Sequence, residues 1–171
     1  MPEGCIGHSA WWRLSGFLHI RRRSADFFRA AWVERTHALK GSTIRREVIL
    51  PATPEAALLA RAALNDALPT RALGSRRDHA RLVMSELVTN AVKHGAENGQ
   101  DVLRVTIEVF GESLRVEIEQ PGRTPDLSPV EPRLDGQDFG GLGLYIVDEL
   151  ADDWGAEPGP PGHVWFEFLT L

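Results

Sequence analysis

Two runs of alternating apolar residues constrain this chain more than anything else in it. Leu103, Val105, Ile107 and Val109 alternate with polar or smaller neighbours, as do Leu114, Val116 and Ile118. A period of two places the apolar side chains on one face of a strand. Gly111-Glu112-Ser113 leaves only a short turn between the runs, so they form a hairpin with one covered face and one wet face. Helices must supply the cover. Pro54 to Leu68 is rich in Ala and Leu, with Pro54 suited to a first helical turn. Ser75 with Asp78 three residues on resembles a capping box, opening a helix that runs to about His94. Gly95 suits the left-handed conformation past a helix end. Leu142 to Ala151 forms a third helix. Ile44 to Leu50 reads as a strand ended by Pro51, and Val164, Phe166 and Phe168 alternate in a last strand after the breaker run Pro158 to Gly162. Gln120 to Asp138 is a loop. The order strand, helix, helix, strand, strand, loop, helix, strand predicts an α/β two-layer sandwich. Its sheet is mixed, mainly antiparallel, with helices on one face.

Composition bounds the function. A chain of 171 residues accommodates one domain with a sizeable core plus an extension. The net charge of -5 argues against direct nucleic-acid binding by the whole chain. A single cysteine, Cys5, excludes an intrachain disulfide framework and fits a reducing compartment. No apolar run approaches the roughly 18 residues of a transmembrane segment. Trp11 to Ile20 is interrupted by Arg13 and His19, and its arginines follow the apolar part, the wrong order for a signal peptide. A cytoplasmic protein is expected.

Residues 1-41 differ from residues 42-171. Trp11, Trp12, Phe27, Phe28 and Trp32 are mixed with Arg21, Arg22, Arg23, Arg29 and Arg35. The mixture reads as a basic amphipathic helix that touches a membrane surface or a partner. No motif supports that reading, and the segment reads more readily as a poorly ordered extension, or as upstream sequence left untranslated if synthesis starts at Val33.

The chemistry concentrates in Ser85-Glu86-Leu87-Val88-Thr89-Asn90-Ala91-Val92-Lys93-His94-Gly95. Glu86 and Asn90 stand four apart, one turn along the same helix face. Taken singly, Glu86 reads as a solvated helix residue and Asn90 as a partner of a neighbouring loop. Together they present a charged and a neutral oxygen to one site. Magnesium accepts a few such oxygens alongside waters and substrate phosphates. The glutamate could also take the proton of an attacking hydroxyl. His94 falls in the last turn, where it complements the helix C-terminus. Phe139-Gly140-Gly141-Leu142-Gly143-Leu144 opens the third helix. Glycines there allow a phosphate to approach the free N–H groups of the first turn, although a flexible turn into a helix gives the same sequence.

Together these segments resemble the GHKL ATPase superfamily with its Bergerat ATP-binding fold, and within it the anti-sigma-factor serine kinases of bacteria. The resemblance covers roughly Ser42 to Leu171. It rests on Arg81 to Gly95 as the N-box, Gly140-Gly141-Leu142-Gly143-Leu144 as the second glycine box, Leu150-Ala151-Asp152-Asp153-Trp154-Gly155, and the closing Val164-Trp165-Phe166-Glu167-Phe168. It implies ATP and Mg2+ as cofactors, with Asn90 as the metal ligand and Glu86 as the general base. Gly140, Gly141, Leu142 and Gly143 would meet the phosphates, and Gln120, Gly122 and His163 the adenine end. The implied partners are an anti-sigma-factor antagonist, phosphorylated on serine, and a sigma factor held in sequestration by a homodimer. No histidine-bearing dimerisation helix of the sensor-kinase type precedes Ser42.

The adenine end departs from the pattern. Where the family commonly has Asp-x-Gly-x-Gly, this chain has Gln120-Pro121-Gly122-Arg123-Thr124, and His163 replaces a supporting threonine. Gln120 keeps an acceptor oxygen but loses the charge, a change worth about 1–3 kcal/mol at a charged hydrogen bond. An alternative is therefore a catalytically degenerate binding module that switches partners without ATP turnover.

Overall fold

A computed structural model describes residues 43–70, 72–96, 100–124, 142–157 and 159–169. The expected extension 1-41, most of the loop after Gln120, and Gly140 and Gly141 lie outside the described residues. Among the described residues, five strands make one sheet in the order β1-β2-β3-β5-β4: β1 (Thr43–Pro51), β2 (Val102–Phe110), β3 (Ser113–Gln120), β4 (Asp153–Glu157) and β5 (Gly162–Phe168). All four pairings are antiparallel, so the described strands lack the parallel component of the expected mixed sheet. The β2–β3 hairpin turns through Gly111 and Glu112, with Phe110 opposite Ser113 and Gly111 at φ 59°.

Among the described residues, three α-helices lie on one face: α1 (Ala56–Ala67), α2 (Arg77–Gly95) and α3 (Leu142–Leu150). Helix α1 buries Ala56, Ala60, Leu64 and Ala67, a stripe at helical spacing. Helix α2 buries a wider stripe that includes Val83, Met84, Leu87, Val88 and Ala91. These meet Leu103, Val105, Ile107 and Val109 of β2 and Leu114, Val116 and Ile118 of β3, the alternating set on which the fold was expected to turn. The outward residues of the same strands form the second face.

Three local expectations are corrected. Helix α1 starts at Ala56; Pro54 lies in the preceding turn, whose N–H groups are met by backbone, with Ala56 N–H donating to Thr53 O at 2.9 Å. Ser75 and Asp78 form no capping box. Ser75 sits in a 3-10 turn (Gly74–Arg76) that runs directly into α2, and the N-cap, Arg76, makes no side-chain cap. The turn's own backbone pairs the leading N–H groups, Arg76 N–H with Leu73 O at 2.8 Å and Arg77 N–H with Gly74 O. Finally, Gly95 is the last helical residue, and Ala96 leaves in an extended conformation (φ -90°, ψ 134°), so no left-handed cap is present.

Strand β4 was not foreseen. Asp153 and Gly155 are poor strand formers, and only pairing with β5 makes this edge extended. Its entry is tied back to α2. Arg76 donates to both Asp152 carboxylate oxygens at 2.8 Å, its Nη2 reaches Leu150 O at 3.3 Å, and its guanidinium stacks 4.7 Å from the Phe168 ring centre. Burial opposes the Asp152 charge, but Arg76 and the Leu169 N–H outweigh it and hold the carboxyl below its ordinary range.

Candidate active site

Helix α2 carries the candidate site along one side. Its apolar stripe fixes the rotation of the helix on the sheet, and that rotation leaves Glu86 and Asn90 half-buried at its margin. Ser85, next to Glu86, accepts a hydrogen bond from Arg61 of α1 at 2.9 Å and donates to Arg81 O at 2.8 Å, which ties α2 to its neighbour.

The Glu86 carboxylate lies against the first turn of α3. A side chain added at Gly143 would place its Cβ 2.6 Å from Glu86 Oε2. The spacing of Glu86 and the glycine box thus converges in space, although the two lie on different helices. A helix N-terminus such as that of α3 carries a partial positive charge and N–H groups without intrahelical partners, a setting that favours a carboxylate or a phosphate. Leu142 is exposed there. Asn90 follows Glu86 by one turn, about 6 Å along the axis.

A second junction lies at the other end of the same helix. Gly95 accepts a backbone hydrogen bond from Gly122 at 2.9 Å, and Gly122 in turn accepts one from Gly162 at 2.9 Å. Gln120, 2 % exposed, lies against the Gly95 Cα, where any Cβ would overlap its carboxamide. Its Nε2 donates to Arg123 O at 3.1 Å. Gln120 and Gly122 therefore meet the C-terminal turn of α2, about 13 Å of helix beyond Glu86. Thr124 is buried over Gly162: a Cβ there would come within 2.5 Å of Thr124 N.

His163 does not join this group. Strand alternation turns Val164, Phe166 and Phe168 toward the helices and His163 toward the opposite face, between Glu119 and Glu157. Only its carbonyl oxygen reaches the site, accepting from Thr124 Oγ1 at 3.5 Å. Sequence reasoning missed Gly162 and read Gly95 only as a helix stop, which it is, and not as the surface against which Gln120 packs. The signal for both is a glycine at the end of an element, facing the residue whose side chain needs the space.

The residues present fit a magnesium nucleotide at the phosphate end. Gly143 leaves room for the Glu86 carboxylate beside the first turn of α3, that turn has N–H groups without intrahelical partners, and Asn90 stands one turn along α2 from Glu86. Among the described residues no group of three or more His, Cys, Asp or Glu could hold a metal by itself.

Fold and site together define a two-layer α/β sandwich with a polar seam between α2, α3 and the end of β3. A family model for the histidine kinase-like ATPase domain matches residues 50–164, and the chain belongs to that family. It is similar to the serine-protein kinase RsbW of Listeria monocytogenes, 33% identical over 117 residues, which cover 61% of this chain and 73% of that protein. The serine-protein kinase RsbW of Staphylococcus epidermidis is 30% identical over 120 residues, covering 63% and 75%. Among solved structures, the RsbU and RsbW domains of a Mycobacterium tuberculosis protein share the fold with a TM-score of 0.53 at 22% identity. The match covers 74% of this chain and spans about a third (34%) of that longer chain. No described helix is long and apolar enough to cross a membrane.

Proposed function

We propose that residues 42-171 form a cytoplasmic, ATP-dependent serine kinase domain that phosphorylates an anti-sigma-factor antagonist and sequesters a sigma factor, acting as a homodimer. The observation that carries this reading is the Glu86 carboxylate held against Gly143 at the N-terminus of α3. Bound MgATP supplies the transferable phosphoryl group. The chain's own part is to place and polarise. Asn90 offers its carboxamide oxygen to the metal, and the first-turn N–H groups of α3, with Gly140, Gly141, Leu142 and Gly143, receive the phosphates. The helix end that attracts the carboxylate also attracts phosphate, so Glu86 stands where it can accept the proton of an incoming serine hydroxyl. The relatives named serine-protein kinase support this reading.

Calorimetric titration with MgATP tests it, with Asn90→Ala as the control that loses binding. Labelled ATP should then pass phosphate to a cognate antagonist, and Glu86→Ala should abolish the transfer. A folded protein that binds no nucleotide at millimolar MgATP would refute the kinase reading.

Gln120 favours a second reading, a degenerate module that binds its partners without ATP turnover. Its side chain is closed off against Gly95 with the acceptor Oε1 included, and its amide donates to Arg123 O, which leaves it little to present to an adenine amino group. Under this reading the parent lacks nucleotide affinity and Gln120→Asp creates it. Equal affinities in the two proteins would count against it.

A further inference from the structure

The sheet face turned away from the helices contains a closed charge cluster that the active site does not use. Arg115, at the centre of β3, is 0% exposed. Its Nη1 donates to Glu167 Oε1 at 2.5 Å, its Nε and Nη2 donate to Glu117 Oε1 at 3.1 and 2.9 Å, and its guanidinium lies 4.6 Å from the Trp165 ring centre. Trp165 (2%), Glu167 (3%) and Phe110 (6%) are closed as well, yet Phe110 and Trp165 are not part of the helix-side core. Neighbours within a sheet flank a side chain but do not roof it. Among the described residues, the helices contact the sheet through the opposite, core face. A guanidinium sealed from water at this position needs a covering layer, and an uncovered one would keep its outer surface wet.

We propose that the chain's own N-terminal segment, residues 1–42, docks on this face as that layer. Three observations select it. The segment joins the sheet at Thr43, which stands opposite Phe110 at the corner of the same face. From there Trp165 on β5 is three strands across and four residues along the strand, because it lies in line with Glu117, Thr106 and Glu47. That is about 20 Å at 4.8 Å per strand and 3.4 Å per residue, a distance that about six extended residues cover. The chemistry is complementary too. The face presents more carboxylates than guanidiniums, with Glu47, Glu108, Glu117, Glu119 and Glu167 beside Arg45, Arg104 and Arg115, and includes two aromatic rings. The segment is rich in arginine, tryptophan and phenylalanine, and no step of the proposed kinase reaction employs it.

The test uses the full chain. Trp32, and in a separate sample Phe28, is replaced by the photoreactive residue benzoylphenylalanine. Protein labelled with heavy nitrogen is mixed with unlabelled protein, irradiated, digested and analysed by mass spectrometry. The expected result is cross-links within single chains to peptides containing Thr106 to Phe110, Arg115 to Glu119, or Trp165 to Glu167. Cross-links joining heavy to light chains would show that a second copy covers the face and would overturn the proposal. So would cross-links confined to the helix side, or none. In the same samples, Arg21→Glu, Arg22→Glu and Arg23→Glu together should lower the yield on that face by about fivefold, because opposite charges no longer meet. An unchanged yield overturns the charge complementarity. The three substitutions leave every described residue of the sheet and core unchanged, so the comparison does not depend on refolding the core.

Discussion

Gly95 and Glu86 show how differently two residues of one helix can be read. The role of Glu86 depends on its spacing from Asn90, and helical periodicity alone puts the two on one side. The role of Gly95 depends on Gln120, which belongs to another strand and reaches the same point only in the folded chain. Gly95→Ala should therefore destabilise the protein by about 1–3 kcal/mol in urea denaturation, the scale of an overpacked core position. Combining it with Gln120→Ala, which removes the obstructing carboxamide, should recover part of that loss; strictly additive effects would show that the two do not meet. At the other end of the helix, Glu86→Gln should lower phosphate transfer by about 10²–10⁴-fold, the usual worth of a positioned general base. Filter assays with labelled ATP measure this, and calorimetry should find nucleotide affinity largely retained. His163 taught the opposite lesson. It matched the position of a family residue along the chain, but strand alternation turns it to the other face.

Elements were legible where their signals were local and strong. The alternation in β2 and β3 and the stripes of α1 and α2 each follow from a single period. The start of α2 and strand β4 were not legible, for related reasons. A 3-10 turn through Ser75 leads directly into α2 where a side-chain cap was expected, and β4 exists because β5 pairs with it. The Arg76–Asp152 contact joins these two places and carries a pH dependence. The folded carboxyl of Asp152 is held below its ordinary value of about 3.9. A depressed carboxyl contributes stability above that ordinary value and loses it as pH falls through the folded one. The parent protein should lose stability progressively in the acid range below about pH 5, and Asp152→Asn should show a flatter profile there. At neutral pH the variant should be weaker by no more than about 1 kcal/mol, because solvent reaches the pair. Thermal melts across the acid range measure both effects, and identical slopes would exclude the contact as their source.

At the scale of the whole molecule, the proposed nucleotide site links three elements, so occupancy should stabilise all of them together. MgATP at a hundred times its dissociation constant should add about 2.7 kcal/mol to unfolding. Asn90→Ala should remove the shift, which thermal denaturation with and without nucleotide would show. The sequence alone determined the layers, because hydrophobic periods of 2 and 3.6 say which faces must be buried and hence that helices cover one side of a hairpin-built sheet. It also determined the Glu86–Asn90 pair, since four residues always make about one helical turn. The tertiary structure decided what those residues meet. Glu86 faces Gly143, Gln120 packs on Gly95, and Arg115 is sealed on the far side of the sheet. Each of these contacts joins residues distant along the chain, and no period or propensity encodes them; they arise only when strand register and helix rotation are set at once by the shared core.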